Sequence, residues 1–93
     1  IEVETRTLDD VREVVAVGEG KVFRIMLDNF SPALLDQALP LIGPAFETEA
    51  SGGINLNNLL DYAKTGVDFV SVGALIHQAR SVDLSLKAVT RKS

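Results

Sequence analysis

Cysteine is absent from this 93-residue chain, and histidine and methionine occur once each. Without cysteine there is no disulfide framework and no thiolate metal site, which suits a reducing compartment; a cytoplasmic location is expected. Basic clusters are also lacking. The formal net charge is −4, and Arg91-Lys92 is the only adjacent basic pair, too little for a nucleic-acid footprint. No apolar run is long enough to span a bilayer, and nothing resembles a signal peptide, so no membrane partner is expected. What remains is 46% hydrophobic and 24% charged, the balance of one globular domain with a small core. The chain opens on Ile1, directly in strand-like sequence, and reads as a cut through a longer protein.

Hydrophobic periodicity divides the chain into repeated strand–helix units. Residues 1–6, IEVETR, alternate apolar and charged and read as a strand. Thr7 stands where an N-cap belongs, Asp9 and Asp10 favour the positive end of a helix, and Leu8, Val11, Val14 and Val15 share one helical face. Gly18 is placed to stop it. Val22–Leu27 is a second strand, and Ser31-Pro32 then signals a helix start. Leu34, Leu35, Ala38 and Leu41 form that helix's stripe, and Gly43-Pro44 ends it. Phe46–Ala50 is a third strand. Asn55 caps a helix with Leu56, Leu59, Leu60 and Ala63 inward, closed by Gly66. Val67–Val72 is a fourth strand, Ala74–Ala79 a short helix, and Val82–Val89 a last strand.

The unit recurs at about 22 residues, right for a compact strand-plus-helix step. Such alternation implies a parallel sheet with right-handed crossovers. A closed barrel needs about eight strands, and four or five are present. The expected fold is therefore α/β: alternating strand–helix units forming part of an open (β/α) barrel-like parallel sheet.

Aligned at their strand ends, Glu4, Asp28, Glu49 and Ser71 fall 24, 21 and 22 residues apart. In a parallel α/β sheet those ends share the edge where ligands bind. Each residue also has a plain structural reading. Glu4 suits the exposed face of an alternating strand, and Asp28-Asn29 suits a turn into Ser31-Pro32. Together the carboxylates could instead hold a cation or accept hydrogen bonds from sugar hydroxyls. Ser51-Gly52-Gly53 is either a tight turn needing positive φ or a phosphate cradle of backbone N–H groups before a helix. Gly73 repeats the glycine turn one strand later, and paired late loops are a common phosphate site in such barrels. His77, four residues on, could donate to an oxyanion there or simply pack. Arg80 and Lys87 read as solvated or paired charges.

The ordered set "IEVET", "IMLDNFSP", "ETEASGGIN", "YAKTGVDFVSVGALIH" and "VDLSLK" resembles the C-terminal part of the quinolinate phosphoribosyltransferase family. The similarity runs over nearly the whole chain, so residues 1–93 are expected to be the C-terminal portion of a (β/α) barrel-like phosphoribosyltransferase domain, about one third of the enzyme. The resemblance implies a pentosyltransferase reaction in NAD biosynthesis. Quinolinate and phosphoribosyl pyrophosphate, with Mg2+ as cofactor, give nicotinate mononucleotide, pyrophosphate and carbon dioxide, catalysed by a homodimer or higher oligomer.

Carried onto this chain, the resemblance makes Glu4 and Asp28 catalytic carboxylates that meet the ribose and Mg2+, directly, through water or through the ligand. It makes Ser51, Gly52, Gly53, Gly73 and His77 phosphate-binding, and sets Glu49 near the site. The basic Arg, Lys and His pocket that a dicarboxylate substrate requires has no counterpart here, so the chain alone is expected to be inactive. A second reading is a non-catalytic half-barrel whose exposed sheet edges self-associate. A third is another phosphate-binding (β/α) barrel enzyme, of the thiamine or tryptophan pathways.

Overall fold

The computed structural model describes residues 1–82. The elements run β1 (Glu2–Thr5), α1 (Leu8–Gly18), β2 (Arg24–Asp28), α2 (Pro32–Ile42), β3 (Glu47–Ser51), α3 (Leu59–Ala63), β4 (Phe69–Val72) and β5 (Leu75–Gln78). The strands form one sheet in sequence order. β1 to β4 are mutually parallel and β5 returns antiparallel to β4. The α/β class and the strand–helix alternation are as expected, with about half the parallel strands of a closed eight-stranded barrel.

The first two helices begin where local chemistry dictates. Thr7 Oγ1 accepts from the N–H of Asp10 at 3.1 Å, and the Asp10 carboxylate reaches back to the N–H of Arg6 at 3.0 Å. Ser31 Oγ accepts from Leu34 N–H at 3.1 Å, and Pro32 occupies the first helical position, where its missing N–H costs nothing. Gly43, at φ +70°, caps the end of α2 by donating to Leu39 O. Leu35, Ala38 and Ile42 are buried at i, i+3 and i+7, which turns Leu41 away from the core, 41% exposed, contrary to the expected stripe. Gly18 is buried inside the last turn of α1; the positive φ that turns the chain belongs to Gly20.

Two elements differ from expectation. α3 starts at Leu59 instead of after Asn55, because the asparagines bond to loop backbone. Asn55 Oδ1 accepts from Asn57 and Asn58 N–H, Asn58 Oδ1 accepts from Asn55 N–H, and Asn58 Nδ2 donates to Gly53 O. Asx turns of this kind compete with helix formation and leave Leu56 85% exposed. The expected helix at Ala74–Ala79 is a strand, β5, joined to β4 by a two-residue turn with Gly73 at φ +60°. Positive φ at the first central position alone is the pattern of a type II′ hairpin turn. Helical backbone begins only at Ala79. Val82 is part of that turn, and the rest of the expected last strand lies outside the described residues.

Registration sorts the sheet into two chemically distinct faces, since successive side chains alternate. On one, Thr5, Ile25, Leu27, Thr48, Ala50 and Val70 are buried against the helices, with Val11, Leu35, Ala38 and Ile42 opposite them. Each fully buried Leu or Ile contributes about 2 kcal/mol to this core. The other face carries Glu2 and Glu4, then Arg24, Met26 and Asp28, then Glu47, Glu49 and Ser51, then Phe69 and Ser71. It is the face a barrel would turn inward.

Candidate functional site

The polar face is arranged in rows. Glu4, Met26, Glu49 and Phe69 are successive register partners. Asp28 pairs with Ser51 one pleat nearer the carboxyl ends, and Ser71, two positions beyond Phe69, continues that row. The four strand-end residues aligned in the sequence therefore occupy two levels. Glu4 and Glu49 lie deeper than Asp28 and Ser71.

Two arginines unmarked by the sequence reading organise these carboxylates. Arg6, which follows β1, places Nη2 at 3.1 Å from Glu4 Oε1 and Nε at 3.7 Å from Asp28 Oδ2, so it stands between the two. Arg24 reaches Glu47 at 3.3 Å, Glu49 at 3.2 Å and Glu2 at 3.8 Å, with its guanidinium carbon 4.2 Å from the centroid of the Phe69 ring. Burial works against the Arg24 charge, but hydrogen bonds and attraction from Glu47 and Glu49 outweigh it and raise its pKa further. Its Nε is buried without a partner. The signal that could have found Arg24 is the change of sign across strands, from Glu2 to Arg24 to Glu47, which shows only with the register known.

The glycine turn comes directly off this surface. Ser51 Oγ donates to Asp28 Oδ1 across 3.4 Å, a long contact, and Asn29 N–H donates to Ser51 O at 2.8 Å. Gly52 and Gly53 have φ of +85° and +71°, in the left-handed region that favours glycine. At Gly52 a Cβ would also collide with Asn29 Oδ1 and come within 2.9 Å of Asp28 Oδ1. Asn29 itself takes φ +60°. The loop is thus a close approach of the Gly52 backbone to the Asp28 and Asn29 side chains as well as a turn.

Gly73 follows β4 at the same edge as Gly52 follows β3, since these strands are parallel neighbours. α3 begins six residues after Gly53 and is one short turn, so the glycines do not open directly onto a helix N-terminus as the cradle reading supposed. His77 lies on β5 opposite Val70, and thereby shares the helix-side parity of Val70 instead of that of Ser71. The structure gathers Glu4, Asp28, Ser51, Gly52 and Gly53 and brings Glu49 beneath them, but it does not group His77 with the carboxylates.

Among the described residues no set of three or more His, Asp or Glu side chains is placed to hold a metal ion. Glu4 and Asp28 could supply one or two carboxylate oxygens, which is how Mg2+ is usually held when substrate phosphates and waters complete its shell. The pair fits a metal that arrives with a ligand. A cleft of about 560 Å³ lies at the opposite end of the sheet, lined by Phe23, Gly43, Phe46, Thr48 and Gly66. Of its two carboxylates, Asp68 is occupied by Thr48 and Glu47 by Arg24. The carboxylates and glycine turns lie at the other end of the sheet from this cleft, and the chemistry is the better guide.

A parallel α/β sheet with carboxylates and glycine turns gathered at the carboxyl ends of its strands has the layout of a (β/α) barrel-like fold. The particular family follows from comparison. Residues 1–87 match the family model described as quinolinate phosphoribosyl transferase, C-terminal domain, and the chain belongs to that family. It is 41% identical to the chloroplastic nicotinate-nucleotide pyrophosphorylase (carboxylating) of Arabidopsis thaliana, over 97% of this chain and 29% of that protein. It is 39% identical, with the same two coverages, to the mitochondrial quinolinate phosphoribosyltransferase (decarboxylating) 2 of Nicotiana glauca. The solved nicotinate-nucleotide pyrophosphorylase of Francisella tularensis superposes with a TM-score of 0.70 at 38% identity, covering 84% of this chain and 28% of that one. The chain thus spans under one third of the length of these relatives.

Proposed function

We propose that the chain is the phosphoribosyl pyrophosphate half-site of a quinolinate phosphoribosyltransferase. The whole enzyme would convert quinolinate and phosphoribosyl pyrophosphate to nicotinate mononucleotide, pyrophosphate and carbon dioxide. The observation that carries this reading is the meeting of Asp28, Ser51 and Gly52 beside Glu4, acceptors for hydroxyls next to backbone donors for phosphate. Glu4 and Asp28 hold ribose hydroxyls and the ligand's Mg2+, while the backbone N–H groups of Ser51, Gly52, Gly53 and Gly73 face phosphate oxygens. Bound Mg2+ supplies positive charge against the departing pyrophosphate. The carboxylates lie where the ribosyl centre becomes cationic and so favour its transition state electrostatically.

Arg6 and Arg24, the described cations of the polar face, are both engaged by carboxylates. Neither is left for a dicarboxylate substrate, which supports a chain that is inactive by itself and completed by further segments and a partner subunit in a homodimer or larger oligomer. The proposed compartment is the cytoplasm, in keeping with the absence of cysteine; no helix among the described residues is long and apolar enough to cross a membrane.

Titration calorimetry of the 93-residue chain with phosphoribosyl pyrophosphate tests this reading. Mg2+-dependent binding that disappears in Glu4→Ala/Asp28→Ala supports it, and binding that survives the double substitution rejects it. A second reading, self-association as a half-barrel, is favoured by one feature: among the described residues β1 pairs with β2 alone, leaving its other edge open. A monomer in sedimentation at high concentration would exclude it.

A further inference from the structure

Glu49 is the most deeply buried carboxylate described, 1% exposed in the middle of β3, and both of its oxygens are assigned. Oε1 accepts from Arg24 Nη1 at 3.2 Å, and Oε2 accepts from Ser71 Oγ at 2.9 Å. Arg24 is itself fixed, by Glu47 on one side and by the Phe69 ring beneath its guanidinium. The carboxylate therefore cannot turn away from Ser71 without abandoning a charged hydrogen bond.

A serine hydroxyl has one proton and two lone pairs. With that proton given to Glu49, Ser71 can present only lone pairs to anything else. Ser71 continues the row of Asp28 and Ser51, and the Ser51 hydroxyl is likewise turned toward a carboxylate, at 3.4 Å from Asp28 Oδ1. The row from Asp28 to Ser71 is thus an acceptor surface. Donors at this edge come from the backbone of the glycine turns.

We propose that Glu49 is a positioning residue that fixes Ser71 as a hydrogen-bond acceptor, and that Ser71 thereby selects a phosphosugar by one of its hydroxyl groups. The proposal rests on the phosphosugar reading above and adds a polarity to it. Hydroxyl hydrogens meet the acceptor row and phosphate oxygens meet the glycine N–H groups. A phosphate oxygen set against Ser71 would face lone pairs, so the ligand has one favoured direction along the strand ends.

Glu49→Gln tests this with little change of shape. Arg24 requires an oxygen, so the amide nitrogen falls toward Ser71 and donates to it, and the serine proton is released to point outward. The probes are ribose 5-phosphate, its 2-deoxy and 3-deoxy counterparts, and inorganic phosphate, titrated into the 93-residue chain. The native chain should prefer ribose 5-phosphate over one of the deoxy sugars by about fivefold, the size of one net hydrogen bond. Glu49→Gln and Ser71→Ala should both abolish that preference, Ser71→Thr should keep it, and affinity for inorganic phosphate should not move in any of them. A purely structural role would weaken all probes together.

Retention of the preference in Glu49→Gln or in Ser71→Ala overturns the proposal, as does a native chain that binds the sugars without preference. Failure of the native chain to bind phosphate or sugar phosphate at all would instead remove the phosphosugar reading, and the proposal with it. Ser71 is part-exposed, so its alanine variant decides the matter even where Glu49→Gln does not fold.

Discussion

Thr48 and Asp68 hold one another from both sides. Asp68 Oδ2 accepts the Thr48 N–H at 2.8 Å and the Thr48 hydroxyl at 3.1 Å, and Thr48 Oγ1 accepts the Asp68 N–H at 3.1 Å. The clasp spans 20 residues of sequence at the start of the β3–β4 pairing, whose register consists of Glu49 with Phe69 and Ala50 with Val70. So short a ladder depends on what precedes it. Asp68→Ala removes a charged acceptor from two donors, both on the buried Thr48, and should lower unfolding stability by about 2 kcal/mol. Urea titration would show this, together with faster amide exchange in β4 than in β2. A loss below the scatter of the titration would mean that water replaces the carboxylate.

Gly52 offers a sharper discrimination, because its φ is shared by other glycines and its crowding is not. Gly20, at φ +82°, has nothing within 4 Å of an added Cβ, so alanine there should cost about 1 kcal/mol of backbone strain. Gly52→Ala carries the same strain and also pushes the side chains of Asn29 and Asp28 aside. Its stability loss should be about twice that of Gly20→Ala. It should also lose binding of phosphoribosyl pyrophosphate, which Gly20→Ala should retain. Equal behaviour of the two variants in calorimetry would show that the turn does not position Asp28.

How far the sequence could be read depended on the range of the determining contacts. α1 and α2 were legible because Thr7, Ser31 and Pro32 act on backbone two or three residues away. Strand existence was legible from alternation, and the carboxylates and glycines of the site from their position at strand ends. Depth was not. Glu4 and Glu49 sit one pleat below Asp28 and Ser71 because of register, which joins residues more than 20 positions apart. The pairing of Arg24 with Glu49 was hidden for the same reason. β5 was misread because Leu75–Gln78 is too short for periodicity to separate strand from helix, and pairing with β4 decided it. Asn55 was read as a helix cap, but its bonds and those of Asn58 run within the loop.

Arg24 and Glu49 form a charged pair inside the sheet's polar face, with Glu49 1% and Arg24 20% exposed. Removal of one partner strands the other. Arg24→Met should therefore destabilise the fold by about 3 kcal/mol, the lower end for breaking a buried pair, because Arg24 keeps some solvent contact. Arg24→Met/Glu49→Leu should recover most of the loss, as the desolvated charge is then gone. Chemical denaturation of the native chain, Arg24→Met, Glu49→Leu and the double variant gives the coupling directly. Additive losses in the double variant would show that the pair is not energetically linked.

Arg6 occupies the place between Glu4 and Asp28 where a ligand's cation would come, and it does so from an exposed position, its side chain 73% accessible. An exposed ion pair is worth little, about 0.5 kcal/mol, so Arg6→Ala should leave unfolding stability nearly unchanged. Its effect on cations should be larger in relative terms. With the guanidinium gone, the two carboxylates face each other without a counter-charge, and a divalent ion no longer competes with a resident one. Mn2+ affinity, read from the free-ion signal in electron paramagnetic resonance, should rise about threefold in Arg6→Ala. Arg6→Lys should stay near the native value, since a lysine keeps the charge. Asp28→Asn added to Arg6→Ala should cancel the gain, because one carboxylate alone is a poor site. Unchanged Mn2+ affinity in Arg6→Ala would show that the arginine leaves the carboxylates in solution and that its contacts with them do not shape the site.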